Sequence, residues 1–121
     1  MGYHTAYELV ARNATSAQAD AIEKELSDRG IIGYALESRH SKNIVYMGEG
    51  VFWGCHELVW WRSDEEDMRA ISAQFPEVLF DLYGDGDASD DDWVQYFLGG
   101  KAQFCRILNG AVPLFDPMKL T

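Results

Sequence analysis

The sequence predicts an α+β domain: a mainly antiparallel sheet with two helices on one face, in a ferredoxin-like βαββαβ order extended by a β-hairpin. Three observations predict it. Two capping-box patterns, Thr15-x-x-Gln18 and Ser63-x-x-Glu66, each open an apolar stripe at helical spacing. Short runs of strand character lie between and after them. Gly99-Gly100 separates two such runs, as a two-residue hairpin turn requires. A chain of 121 residues with 47% hydrophobic content suits one domain spanning 1–121.

In chain order, Tyr3–Arg12 alternates, with Tyr3, Thr5, Tyr7, Leu9 and Ala11 on one face of a strand. A helix over 16–29 follows, with Ala19, Ile22 and Leu26 as its apolar stripe and Gly30 as its stop. Ile31–Arg39 reads as a second strand, His40–Asn43 as a turn, and Asn43–Trp53 as an irregular strand or bulged loop interrupted by glycines. Glu57–Arg62 is apolar on both faces (Leu58/Trp60 and Val59/Trp61), the pattern of an interior strand. A helix over 64–75 carries Met68, Ile71 and Phe75, and Pro76 ends it. Val78–Tyr83 is a strand and Gly84–Asp92 an acidic loop. Trp93–Leu98 and Lys101–Leu108 then form the hairpin, in a register that sets Trp93 opposite Arg106, Val94 opposite Cys105 and Phe97 opposite Ala102. The tail, with Pro113 and Pro117, is expected to be irregular.

The formal charge is −10, and its distribution is uneven. Residues 64–92 hold eleven acids (Asp64, Glu65, Glu66, Asp67, Glu77, Asp81, Asp85, Asp87, Asp90, Asp91, Asp92) against Arg69 alone. The rest of the chain is nearly balanced. Direct nucleic-acid binding needs the opposite sign, because affinity comes from neutralising phosphates. Anionic membranes are disfavoured for the same reason. A protein that itself holds nucleic acid carries the complementary potential, and such a basic surface is the partner the charge predicts. No basic-then-apolar leader opens the sequence and no apolar run is long enough to span a bilayer, so the expected setting is the cytoplasm, with Cys55 and Cys105 reduced.

The residues Trp60-Trp61-Arg62-Ser63-Asp64-Glu65-Glu66-Asp67-Met68 lead on to Phe75-Pro76-Glu77-Val78-Leu79-Phe80, Gly84-Asp85-Gly86, Asp92-Trp93 and Tyr96-Phe97…Gly100-Lys101. This stretch, about 57–103, resembles a loosely described family of small acidic proteins of bacteriophages and other mobile elements. The resemblance implies a host bacterial cell as the setting and no particular chemistry. By analogy of class, small acidic non-enzymatic phage proteins include inhibitors of the anti-CRISPR kind.

Patterns of known chemistry are absent. Counted as an EF-hand from Asp81, the acidic loop puts Tyr83 at a ligand position and lacks the bidentate Glu. Gly48-Glu49-Gly50 is not followed by a helix, as a phosphate loop requires. His4, His40, His56 and the two cysteines have no zinc spacing. The expectation is a non-enzymatic interaction protein without catalytic residues, cofactor or metal, monomeric or homodimeric. Its acidic surface would inhibit a host nucleic-acid-binding complex, such as a CRISPR effector, by nucleic-acid mimicry. The expected contact residues are Asp64, Glu65, Asp67, Asp81, Asp85, Asp87, Asp90, Asp91 and Asp92, with Trp53 and Trp61 as aromatic anchors. The alternatives are a homodimeric accessory protein using an aromatic sheet face, and a small-ligand or cation-binding domain.

Overall fold

Seven residues of alternating character, Ala6–Arg12, form β1, which is flanked by neighbours on both sides. In the computed structural model residues 4–39, 50–86 and 91–121 are described. The other elements are α1 (Ser16–Asp28), β2 (Gly50–Trp53), α2 (Asp64–Gln74), β3 (Leu79–Asp85), β4 (Asp92–Leu98) and β5 (Lys101–Arg106). The five strands form one sheet in the order β2-β1-β3-β4-β5, and every pairing is antiparallel. The α+β class with two helices is as expected. The ferredoxin-like order is not, because β1 and β2, the strands on either side of α1, are antiparallel neighbours instead of parallel strands with a third between them.

α1 follows its sequence signals closely. Thr15 Oγ1 accepts from Gln18 N at 3.1 Å, and Gln18 Oε1 accepts from Thr15 N at 2.9 Å, which closes the capping box. Ala19, Ile22 and Leu26 are buried. At the other end Gly30 takes φ 76°, with Gly30 N bonded to Ser27 O and Ile31 N to Leu26 O. That is a Schellman stop, and it tucks Ile31 against Leu26.

Three expectations need correction. Ile31–Arg39 is a compact turn, not a strand: the N–H groups of Tyr34, Ala35 and Leu36 all converge on Ile31 O, and Gly33 turns the chain at φ 85°. Its buried residues, Ile31, Ala35 and Leu36, have the spacing of a coil of backbone rather than alternation. Among the described residues Glu57–Arg62 makes a single bridge, Thr5 to Val59, and leaves Leu58 and Trp60 exposed. Its composition suits an interior strand, but β2 and β3 already occupy both edges of β1. Ser63 does not cap α2 with its side chain; its hydroxyl donates to Asp67 Oδ2 at 2.9 Å instead. The predicted turn at His40–Asn43 lies outside the described residues, as does all but Gly50–Trp53 of the segment read as irregular.

The hairpin forms in the predicted register, with Trp93 opposite Arg106, Val94 opposite Cys105 and Phe97 opposite Ala102. Gly99 and Gly100 both have positive φ, 59° and 86°, as a type I′ turn demands. β3 extends two residues into the segment expected to be loop, so Asp85 belongs to the sheet and faces Asp92.

The sheet is covered on both sides. Tyr7, Leu9, Ala11, Trp53, Phe80, Leu82 and Phe97 pack with Met68, Ile71 and the α1 stripe into the larger core. On the reverse, Val94, Tyr96 and Cys105 form a smaller core with Leu79, Tyr83, Ile107 and Phe115. The tail is tied down there: Tyr96 Oη donates to Pro113 O at 2.6 Å, Asp116 N to Gln103 Oε1 at 2.8 Å, and Thr121 N to Ala102 O at 2.9 Å.

Candidate functional site: an acidic sheet end beside an aromatic pocket

Strand register decides which acids meet. Tyr7, Gly84 and Trp93 form one cross-strand row, and Ala6, Asp85 and Asp92 form the next. The start of α2 is fastened above this end of the sheet, because Gln95 Nε2 donates to Glu65 Oε1 at 3.2 Å. Asp64 and Glu65 therefore stand on the helix-covered face at this end of the sheet, while Asp85 and Asp92 face each other on the reverse side, with Asp91 next to them.

These carboxylates differ in environment. Glu65 also accepts from Arg69 Nε at 2.9 Å; that bond, seconded by Gln95, holds its carboxyl below the usual range. Asp64 is pushed up to about 6 by burial at the head of α2, and the charges of Glu65 and Asp67 push the same way against the hydrogen bond from Glu65 N. Asp92 is raised by its hydrogen bond to Asp85, with desolvation and the repulsion of Asp85 and Asp91 adding to it. Its Oδ1 is buried without a hydrogen-bonding partner among the described residues. Asp91 lies 3.6 Å from Arg106 Nη1, a loose and partly exposed pair.

The Asp85–Asp92 pair has a consequence for stability. A carboxyl whose native pKa is raised favours folding below its ordinary pKa, and that contribution is lost as pH rises through the native value. At neutral pH the two facing carboxylates therefore oppose folding. Asp92→Asn is expected to raise Tm at pH ~7, and the gain should shrink as pH falls to ~4, toward the ordinary carboxylate range, because wild type takes up a proton there more readily than an ordinary carboxylate. Thermal melts of both proteins at the two pH values check this; an equal difference at both would show that the pair does not repel.

Other expected contact residues lie elsewhere. Asp81 is buried on the reverse face, where the Arg12 guanidinium grips it through Nε (3.1 and 3.0 Å) and Nη2 (2.6 Å). Asp67 is spent inside, accepting from Trp61 Nε1 at 2.8 Å, Ser63 Oγ at 2.9 Å and Arg29 Nη1 at 3.3 Å. Trp53 and Trp61, expected as aromatic anchors of the contact surface, are buried; the Trp53 indole donates to Glu23 Oε1 at 3.0 Å. A large ring on a strand facing the helices is worth more inside the core than out of it. Asp87 and Asp90 lie outside the described residues.

Beside the acidic end is a pocket of about 320 Å³ lined by Tyr7, Trp60, Trp61, Arg62, Asp64 and Trp93 among others. Edge-to-face contacts stiffen its wall: Tyr7 to Trp61 at 5.3 Å between centroids, and Tyr7 to Trp93 at 6.1 Å. Trp61 N donates to Tyr7 Oη at 3.3 Å. Burial and the nearby Asp64 carboxylate push the Tyr7 hydroxyl up to about 12, so it stays protonated. Trp93 lies flat over Gly84, where a Cβ would come within 2.2 Å of the indole. The Trp60 ring is 42% exposed, its backbone oxygen fixed by Tyr34 Oη at 2.9 Å, and Arg62 Cζ sits 5.2 Å above it.

Sequence reading placed Tyr7, Trp60 and Trp93 in three separate strands and gave none of them a site role. Arg62 enters the sequence reading only within the Trp60-Trp61-Arg62 stretch, without a site role. The sheet register sets Tyr7 and Trp93 in one row, and the coil at 60–62 carries Trp60 and Arg62 to them. A larger hollow of about 630 Å³ lies between β5 and the tail, but Gln103 and Asp116 there already bond to each other. Among the described residues no three His, Cys, Asp or Glu side chains are grouped to hold a metal ion. No helix among them is long and apolar enough to cross a membrane. Comparison of the chain with known protein families, with curated proteins and with solved structures finds no match.

Proposed function

We propose that the protein is a non-enzymatic interaction protein whose acidic sheet end binds a basic, nucleic-acid-binding surface of a partner protein and excludes nucleic acid from it. The observation that carries this is that one end of the sheet is acidic on both faces: Asp85 and Asp92 are set against each other on the reverse side, with the charge of Asp91 adding to the repulsion, and Asp64 and Glu65 head α2 on the other. Neighbouring carboxylates offer a partner's Lys and Arg side chains what phosphates offer them. An inhibitor of the anti-CRISPR kind, acting on a host CRISPR effector, is the specific form of this reading.

The test is capture of a partner from a bacterial lysate on immobilised protein, with elution by salt and competition by duplex DNA. Reversal of Asp85, Asp87, Asp90 and Asp91 to Lys is expected to lower retention at least ~10-fold, mainly through a slower on-rate. The fold should survive, because Asp85→Lys replaces a repulsion with Asp92 by an attraction. DNA should displace the partner, and retention should fade as salt approaches ~0.5 M. A partner that ignores the reversal, the salt and the DNA would overturn the reading.

The homodimer reading draws support from a different surface than the tryptophans suggested. Phe104 on β5 and Leu108, Leu114 and Met118 on the tail are exposed apolar side chains. It requires a mass that doubles with concentration in sedimentation.

A further inference from the structure

The aromatic pocket and Asp64 together have the makings of a receptor for one cationic side chain. Its walls are ring faces and edges, and π faces attract cations. Its acid, Asp64, is the residue most raised by burial at the acidic end, and a cation beside it would relieve that burial. The head of a helix ordinarily favours an anion, but the first turn of α2 is already filled by Asp64, Glu65, Glu66 and Asp67. Arg62 already lays its guanidinium over Trp60 at 5.2 Å, so the chain itself shows which group this ring accepts. A volume of about 320 Å³ suits a single side chain and its head group.

We propose that this pocket seats one arginine side chain of the partner, its guanidinium stacked on Trp60 in place of Arg62 and paired with the Asp64 carboxylate. The proposal deepens the reading above and rests on it, since it names a contact on the helix-covered face of the same acidic sheet end. Arginine fits better than lysine because its planar head can stack on a ring and meet a carboxylate edge-on at once, whereas an ammonium is a compact, strongly hydrated charge. Arg62 is then an internal competitor that leaves the ring when the partner arrives.

The probe is N-acetyl-arginine methylamide, titrated against the full chain while the indole N–H resonances of Trp60 and Trp93 are followed. Both signals should move and saturate with a Kd of about 1–10 mM. Asp64→Asn and Trp60→Ala should each weaken binding at least ~5-fold with Tm little changed, while Arg62→Ala should bind as well or more tightly. The corresponding lysine probe should bind more weakly.

Indole signals that stay still through ~50 mM probe, or binding indifferent to Asp64→Asn and Trp60→Ala, would overturn the proposal. So would an N-acetyl-glutamate response abolished by Arg62→Ala, which would make the pocket an anion site. The four-residue charge reversal separates the two levels. If it abolishes partner capture while the arginine probe fails to bind the wild-type pocket, the acidic-surface reading stands and the pocket proposal falls. If the probe binds but neither Asp64→Asn nor Trp60→Ala changes capture, the pocket does not seat the partner.

Discussion

Met68→Asp is expected to abolish cooperative unfolding of the protein, leaving a chain without fixed tertiary packing at about 25 °C. Met68 is fully buried in the larger core, on the face of α2 that meets the sheet. The substitution removes an apolar side chain and places a carboxylate with no cationic partner among apolar groups. Each effect costs several kcal/mol, and together they approach the ~5–15 kcal/mol that a domain of this size has to lose. Asp64 and Glu65, four and three residues earlier on the helix, would add like-charge repulsion. Glu66→Gln, two residues away on the exposed side, should stay within ~0.5 kcal/mol of wild type. Near-ultraviolet circular dichroism and thermal melts decide the matter. A Met68→Asp protein that melts cooperatively within ~5 °C of wild type would mean that α2 packs by another face.

Trp53→Ala should lower stability by about 3–5 kcal/mol, the range for truncating a large buried aromatic residue. Trp53 is fully buried on β2, an edge strand of only four residues that pairs with β1 alone. Its ring also carries the Arg39 guanidinium at 6.0 Å and donates to Glu23, so the strand, α1 and the turn after α1 share one anchor. Glu23 has its own bond to Arg39 Nη1 at 3.0 Å to keep, so the loss is packing, the Arg39 cation–π contact and one hydrogen bond. Trp53→Phe should recover part of the stability. Urea melts with a shifted midpoint and an unchanged slope would report a loss of stability alone. An unchanged midpoint together with weakened partner capture would return Trp53 to the role of contact residue.

The two tryptophan neighbourhoods show where reading along the chain stops. Trp53 and Trp60 stand in similar aromatic, strand-like contexts, yet one is enclosed and the other is 42% exposed. Composition cannot separate them, because the difference lies in whether β1 has an edge to offer. β2 takes that edge with four residues, and 57–62 is left to run past the sheet as coil. The acids divide in the same way. Asp81 and Asp85 lie four residues apart on one strand and point to the same reverse face. Asp81 meets Arg12 from across the sheet, while Asp85 meets another carboxylate.

What can be read along the chain alone lies within a few residues of each signal. The first helix, its capping box and its Gly30 stop are local hydrogen-bonding solutions, as is the Gly99-Gly100 turn, and a two-residue turn leaves only one register for β4 against β5. The buried stripe of α2 and the concentration of negative charge in 64–92 were legible for the same reason. The tertiary structure alone decided the strand order, the face each tryptophan turns to, and the meeting of Tyr7, Trp60, Arg62, Asp64 and Trp93 in one pocket. Those outcomes depend on which strand claims each free edge. That competition is settled by core packing between residues as far apart as Tyr7 and Trp93, and no local pattern records it.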